Sequence, residues 1–76
     1  MTFKPGRCRL RQLLHERNKT QQWLSDVTGI DKYRISYYSN NRGVMHLSTA
    51  KTVANALDCS IDDLYVWIKV VGGGQE

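Results

Sequence analysis

Apolar residues recur at helical spacing in five short segments of this chain, and short polar breaks separate the segments. Leu10, Leu13 and Leu14 give the pattern in the first segment, where the intervening residues are charged or polar. The chain has 76 residues, of which 41% are hydrophobic, so it has room for one core. No apolar run approaches the roughly 20 residues that span a bilayer. The spacing therefore predicts one compact all-α domain of five helices that does not enter a membrane.

Three residues beginning with Gly29 join the second predicted helix to the third. Thr20 is a candidate N-cap of the second helix, and Gly29 can adopt the left-handed conformation that ends it. Asp31 is a candidate N-cap of the third helix, and Ile30 and Ile35 have the spacing of a hydrophobic staple. This pattern is typical of a helix-turn-helix, whose second helix enters the major groove of DNA.

The third helix has an outward face without a carboxylate. Ile35 and Tyr38 are predicted to point into the core. Because successive residues of an α-helix are about 100° apart around its axis, other side chains of this helix point away from the core. The outward and flanking residues are Lys32, Tyr33, Arg34, Ser36 and Tyr37. Such a basic and aromatic surface suits contact with base edges and phosphates.

Charge is divided unevenly along the chain. Residues 1–51 hold ten lysines and arginines against three acidic residues, whereas residues 52–76 hold one lysine against four. A molecule with a basic front and an acidic rear presents one side to a polyanion. Arg7, Arg9 and Arg11 point in several directions around the first helix, and we interpret them mainly as solvated residues, of which one could reach a flanking phosphate.

The sequence contains no candidate residues for catalysis or for metal binding. Cys8 and Cys59 have no cysteine or histidine at metal-ligand spacing. His15 and His46 have no serine, cysteine or carboxylate at a catalytic spacing. We therefore expect a binding protein without metal or cofactor rather than an enzyme. The N-terminus lacks the hydrophobic core of a signal peptide, and we expect a cytoplasmic location.

Taken in order, these motifs resemble the Cro/repressor-type (XRE-like) helix-turn-helix proteins of phages and bacteria. The matching residues are Thr20-Gln21, Leu24-Ser25, Thr28-Gly29-Ile30, Ile35-Ser36, Ala54, Leu57 and Ser60-Ile61-Asp62-Asp63-Leu64. The resemblance extends over residues 8–66. It implies a lambda-repressor-like fold and a sequence-specific regulator of transcription, of repressor or Cro type, that binds double-stranded DNA in the bacterial cytoplasm or nucleoid.

The resemblance also implies roles for individual residues. The expected base-reading residues are Lys32, Tyr33, Ser36 and Tyr37. The expected contacts with the DNA backbone are Gln21, Asn40 and Arg42, to which we add Arg34. The chain departs from the family at an arginine–glutamate pair, whose positions are Leu14 and Ser39 here, and at a loop glycine and a proline, which are Asn41 and Met45.

The end of the chain carries surplus apolar surface. Ser60 and Asp63 have the spacing of a capping box, and Ile61, Leu64, Tyr65 and Ile68 are the predicted core positions of a fifth helix. Its end and the residues beyond add exposed apolar side chains, namely Trp67, Ile68, Val70 and Val71. We expect these residues to form a homodimer interface, completed on a pseudo-palindromic operator, or else to fold back over their own core.

Two other functions fit the same scaffold. We expect one domain over residues 1–71, followed by a flexible tail at 72–76. The exposed aromatic residues of this domain could bind a partner protein instead of DNA. Alternatively, an antitoxin-like autoregulator could bind DNA and also an unidentified protein through residues 67–71. Salt dependence separates the first of these from DNA binding, because phosphate contacts make affinity fall steeply with salt.

Overall fold

The computed structural model describes residues 2–71, which form four α-helices, one 3₁₀ helix and a two-stranded sheet. In chain order the elements are β1 (Thr2–Cys8), α1 (Leu10–Glu16), α2 (Gln21–Thr28), α3 (Lys32–Ser39), α4 (Leu47–Ala56), the 3₁₀ helix (Ile61–Leu64) and β2 (Tyr65–Val70). Within these residues no helix is both long and apolar enough to cross a membrane. The tail predicted at 72–76 lies outside the described residues.

The core is built from the predicted helical positions. Its fully buried side chains include Leu10, Leu24, Ile35 and Leu57. Helical spacing predicts that Val27 of α2 points inward together with Leu24, but Val27 is 52% exposed, so this prediction is wrong. Val27 lines a groove between α2 and α4, whereas Leu24 of the same helix is fully buried in the core.

The prediction of an all-α, five-helix fold is wrong. The predicted fifth helix is a single 3₁₀ turn that ends at Leu64, and the chain continues from Tyr65 as strand β2. The capping box between Ser60 and Asp63 is present, so the start of the element was predicted correctly. β2 has the sequence Tyr-Val-Trp-Ile-Lys-Val, in which β-branched and aromatic residues favour an extended chain. Pairing with β1 supplies the hydrogen-bond partners that this conformation needs.

β1 and β2 form an antiparallel ribbon. Their register pairs Thr2 with Val70 and Pro5 with Trp67, with an irregularity between Pro5 and Cys8. The ribbon joins the helical core where the backbone N–H of Arg9 donates to the carbonyl of Leu64 at 2.7 Å. The two ends of the described chain are therefore held together next to α1 and the 3₁₀ helix.

Gly6→Ala tests the ribbon. A Cβ at Gly6 would lie 2.6 Å from the carbonyl oxygen of Val66, so the two strands must move apart. We expect the free energy of unfolding to fall by about 1 kcal/mol. The reason is that the destabilisation from overpacking exceeds the stabilisation that alanine gives by restricting the unfolded chain. Thermal unfolding measured by circular dichroism should show a midpoint lowered by roughly 4–8 °C. Lys4→Ala, an exposed change in the same strand, is the control, and equal midpoints for the two variants would contradict this pairing.

Candidate nucleic-acid interface

The turn between α2 and α3 is fixed by local hydrogen bonds. The Thr20 hydroxyl accepts from the backbone N–H of Trp23 at 3.0 Å, which confirms the predicted N-cap. Gly29 ends α2 in the left-handed conformation, with φ at 77°. The Ser25 hydroxyl donates to the carbonyl of Ile30 at 2.7 Å and anchors the residue between the helices. The predicted helix-turn-helix is therefore present, and it holds α3 at the surface.

α3 has one buried and one exposed side. Ile35 and Tyr38 are 1% and 8% exposed and belong to the core, as predicted. Tyr33 is 84% exposed, and Lys32 and Arg34 on either side of it are also exposed. No acidic residue lies within α3. The outer side of α3 therefore offers two cations and one aromatic ring with no carboxylate on the helix to compete for them.

Ser36 and Tyr37 are less accessible than Tyr33. Ser36 is half-buried, and its hydroxyl accepts a hydrogen bond from Asn40 Nδ2 at 3.3 Å. Tyr37 is 48% exposed, and its ring covers Gly43, where a Cβ would lie 2.5 Å from the ring. Only glycine leaves room for the ring at that position. Tyr37 therefore supports the loop after α3 in addition to reaching the surface, a role that the sequence analysis did not find.

Gln21, at the start of α2, is tied to the end of α3. Its Nε2 donates to the Ser39 hydroxyl at 3.1 Å, and that hydroxyl donates to the carbonyl of Ser36 at 3.1 Å. Ser39 is buried, so the chain of hydrogen bonds lies partly inside the protein. The amide of Gln21 is thereby oriented, and this hydrogen bond uses one of the two N–H groups of its Nε2.

The loop after α3 places Asn40 and Arg42 at the surface. Both side chains are exposed. Asn41 between them has φ at 63°, and its Oδ1 accepts from the backbone N–H of Cys8 at 3.2 Å. Asparagine tolerates this left-handed conformation, which explains how Asn41 replaces the glycine of related loops. The nitrogen Nη2 of Arg11, on α1, donates to Asn40 Oδ1, a contact that the sequence did not reveal.

This combination of a fixed turn, an exposed basic helix and an ordered loop agrees with the comparisons with known proteins. The Cro/C1-type HTH DNA-binding domain family matches residues 9–69. The chain belongs to this family. The resemblance drawn from the sequence is thus confirmed, and so is the expected class of DNA-binding transcriptional regulator.

Two relatives of this Cro/C1-type protein come from Bacillus subtilis (strain 168). The SPbeta prophage-derived uncharacterized HTH-type transcriptional regulator YotL is 41% identical over 66 residues, which are 86% of this chain and 82% of YotL. The SPbeta prophage-derived uncharacterized HTH-type transcriptional regulator YopS is 41% identical over 61 residues, which are 79% of this chain and 82% of YopS. Both relatives are named as regulators of transcription, which is the general function expected for this chain.

The residues expected to form a dimer interface lie on the ribbon rather than on a helix. Trp67 and Ile68 in β2 are 40% and 43% exposed, Val70 is half-buried, and Val71 just beyond the strand is 76% exposed. The indole Nε1 of Trp67 donates to the carbonyl of Asp62 at 3.0 Å. The ring of Trp67 also contacts the buried ring of Tyr65 edge-on, so this Cro/C1-type domain covers Trp67 in part and leaves Ile68 and Val71 the more accessible of the four.

Burial is the largest influence on the ionisation of both cysteines. Burial raises the pKa of the Cys8 thiol and also that of the Cys59 thiol, so both remain protonated at neutral pH. Among residues 2–71, no group of three or more histidine, cysteine or acidic side chains is placed to hold a metal ion.

Proposed function

We propose that this protein binds a specific sequence of double-stranded DNA through α3 and regulates transcription there as a repressor or Cro-like protein of phage or mobile-element type. The observation that carries the proposal is the exposed surface of α3, where Lys32, Tyr33 and Arg34 stand without a carboxylate on the helix. The function proposed is binding without catalysis, cofactor or metal. Such a target places the protein in the bacterial cytoplasm or on the nucleoid.

The proposed DNA contacts fall into two classes. Side chains on the outer side of α3 are proposed to contact base edges: Lys32, Tyr33, Ser36 and Tyr37. Side chains around its borders are proposed to contact phosphates: Gln21, Arg34, Asn40 and Arg42. Base contacts discriminate between sequences, whereas phosphate contacts fix the position of the protein on the duplex.

Selection of bound sequences from a pool of random duplexes tests the proposal. We expect one short sequence to be enriched, in two inverted copies, because two protein copies bind a pseudo-palindromic operator. Affinity for the selected duplex should fall steeply with salt. A pool without enrichment would overturn the proposed sequence-specific function. Weak salt dependence would favour a scaffold that binds a protein partner through its exposed aromatic residues.

Arg42→Ala and Gln21→Ala should weaken binding to selected and random duplexes by similar factors, because phosphates are the same in every sequence. Only Arg42→Ala should reduce the slope of log affinity against log salt, by about one, since only arginine displaces a counterion. Titrations at several salt concentrations measure both quantities. Gln22→Ala and Lys51→Ala are matched controls on exposed positions. A slope unchanged by Arg42→Ala would place that side chain away from the phosphates.

We also propose that the protein acts as a two-fold homodimer through the ribbon, completed on DNA. One recognition helix gives too few contacts for a firm operator complex. The support is the apolar surface of Trp67, Ile68 and Val71, which a monomer would leave partly in water, with the half-buried Val70 next to it. The half-sites would then lie about one helical turn apart, near 34 Å.

A further inference from the structure

A second basic surface lies beside the proposed DNA interface. It is a recess of about 670 Å³ between the end of β1, the outer side of α1 and the loop after α3. Its lining includes Arg7, Arg9, Arg11 and His15, together with the amides of Gln12 and Asn40. No acidic side chain lines this recess. Three arginines therefore line one open volume, and an anion placed there would be attracted by their positive charge.

The hydrogen bonds of the three arginines differ. Arg9 donates from Nη1 to the carbonyl of Asp63 at 3.1 Å, so this side chain braces the 3₁₀ helix. Arg11 donates to the neutral Oδ1 of Asn40, and Arg7 is exposed at the end of β1. Among residues 2–71, an ion pair joins Arg17 to Glu16, and Arg7, Arg9 and Arg11 form no ion pair. The charges of Arg7 and Arg11 are consequently unneutralised and accessible.

The recess is continuous with the surface proposed to contact DNA. Asn40 lines the recess and is also one of the residues proposed to contact the backbone. Ser39, which accepts the hydrogen bond from Gln21, lies in the same wall. A duplex held by Gln21, Asn40 and Arg42 would therefore pass the mouth of the recess. This continuity favours a backbone phosphate of the same duplex over a free anion as the occupant.

We propose that Arg7 and Arg11 bind a DNA backbone phosphate adjoining the one contacted by Asn40, and so extend the binding site beyond the base-reading helix. The proposal rests on the proposed function, since it takes the same duplex as its ligand. A guanidinium group can donate two hydrogen bonds to one phosphate, and Asn40 holds that of Arg11 in place. Arg7 and Arg11 act as phosphate contacts and carry no sequence information.

Arg7→Gln and Arg11→Gln test this site, with Lys51→Gln as the control. Lys51 is an exposed cation on α4, beside the groove between α2 and α4, so its replacement removes the same charge elsewhere. Each arginine variant should bind both selected and random duplexes roughly tenfold more weakly at moderate salt. Each should also reduce the salt slope more than Lys51→Gln does, by at most about 0.9 because the two arginines share one phosphate. Hydroxyl-radical footprinting should show lost protection at a sugar next to the half-site.

The outcomes distinguish this proposal from the proposed function. If the wild type selects a sequence and all three variants have the same salt slope, the recess proposal is wrong and the role of α3 stands. If the wild type selects nothing, the proposed function itself fails. A shift of recess amide resonances by inorganic phosphate, without a change in the salt slope for DNA, would assign the recess to a free anion and overturn the proposal. Arg7→Gln leaves the Arg11–Asn40 bond in place, so a loss of affinity in this variant points to a lost phosphate contact rather than to the loss of that bond.

Discussion

Trp67→Ala should lower affinity for an operator with two half-sites by roughly 100-fold while leaving affinity for an isolated half-site unchanged. When two copies are joined, binding of the first raises the effective concentration of the second at its half-site. Trp67 supplies the largest apolar side chain of the proposed interface and is 40% exposed in the monomer. Its removal should separate the copies, so that each binds its half-site alone.

The ribbon surface explains why the loss should be large. Successive residues of a strand point to opposite faces, so the ribbon exposes apolar side chains on both faces. Phe3, 64% exposed, lies on the face of Trp67, and Val66, 44% exposed, lies on the face of Ile68. Burial of this apolar surface in a dimer would be favourable. The ribbon also lies next to the 3₁₀ helix, which carries two acidic residues in its first turn. We expect these two carboxylates to face away from phosphates, as the division of charge along the chain predicts.

Two further variants separate self-association from folding. Trp67 donates to the carbonyl of Asp62, so its removal can also loosen the ribbon. Val71→Ser removes apolar surface from a residue that is 76% exposed and should weaken the dimer with less effect on the fold. Val27→Ala, at 52% exposure on α2, is the matched control. Sedimentation of each protein, free and on a selected duplex, gives the number of copies bound. One copy per duplex for the wild type would refute the dimer.

The helix-turn-helix was predictable because its determinants are local. The cap at Thr20, the left-handed Gly29 and the inward positions of Ile35 and Tyr38 all act within one or two helical turns. Asp31 is a partial exception, since α3 begins after it as predicted but its side chain makes no capping hydrogen bond. The start of α3 rests instead on backbone bonds to the Asp31 carbonyl.

The ribbon was not predictable because its determinants are distant in sequence. Leu64, Tyr65 and Ile68 fit helical spacing, and the β-branched and aromatic residues of β2 need the pairing with residues 2–8 to decide for an extended chain. The candidate site divides in the same way. Exposure of Tyr33 follows from helical periodicity, whereas the contact of Arg11 with Asn40 joins residues 29 positions apart. No local pattern reports such a contact, so the sequence could not show which arginine of the first helix approaches the loop.

Lys32→Ala and Tyr33→Ala should each reduce affinity for the selected sequence by about 1–3 kcal/mol and leave affinity for random duplexes nearly unchanged. Both side chains lie on the exposed side at the start of α3, the part of a recognition helix that reaches base edges. Tyr33 is 84% exposed and Lys32 is exposed beside it, so neither truncation removes core packing. The expected loss is therefore a loss of discrimination between sequences.

Competition between selected and random duplexes measures that discrimination directly. Lys51→Ala controls for the loss of one positive charge, and Arg42→Ala should weaken both duplexes alike because it removes a phosphate contact. A specificity ratio that falls for Lys32→Ala and Tyr33→Ala, but not for these two controls, would assign base reading to α3. Equal losses on both duplexes would instead make Lys32 and Tyr33 backbone contacts, and the base-reading residues would then have to be sought at Ser36 and Tyr37.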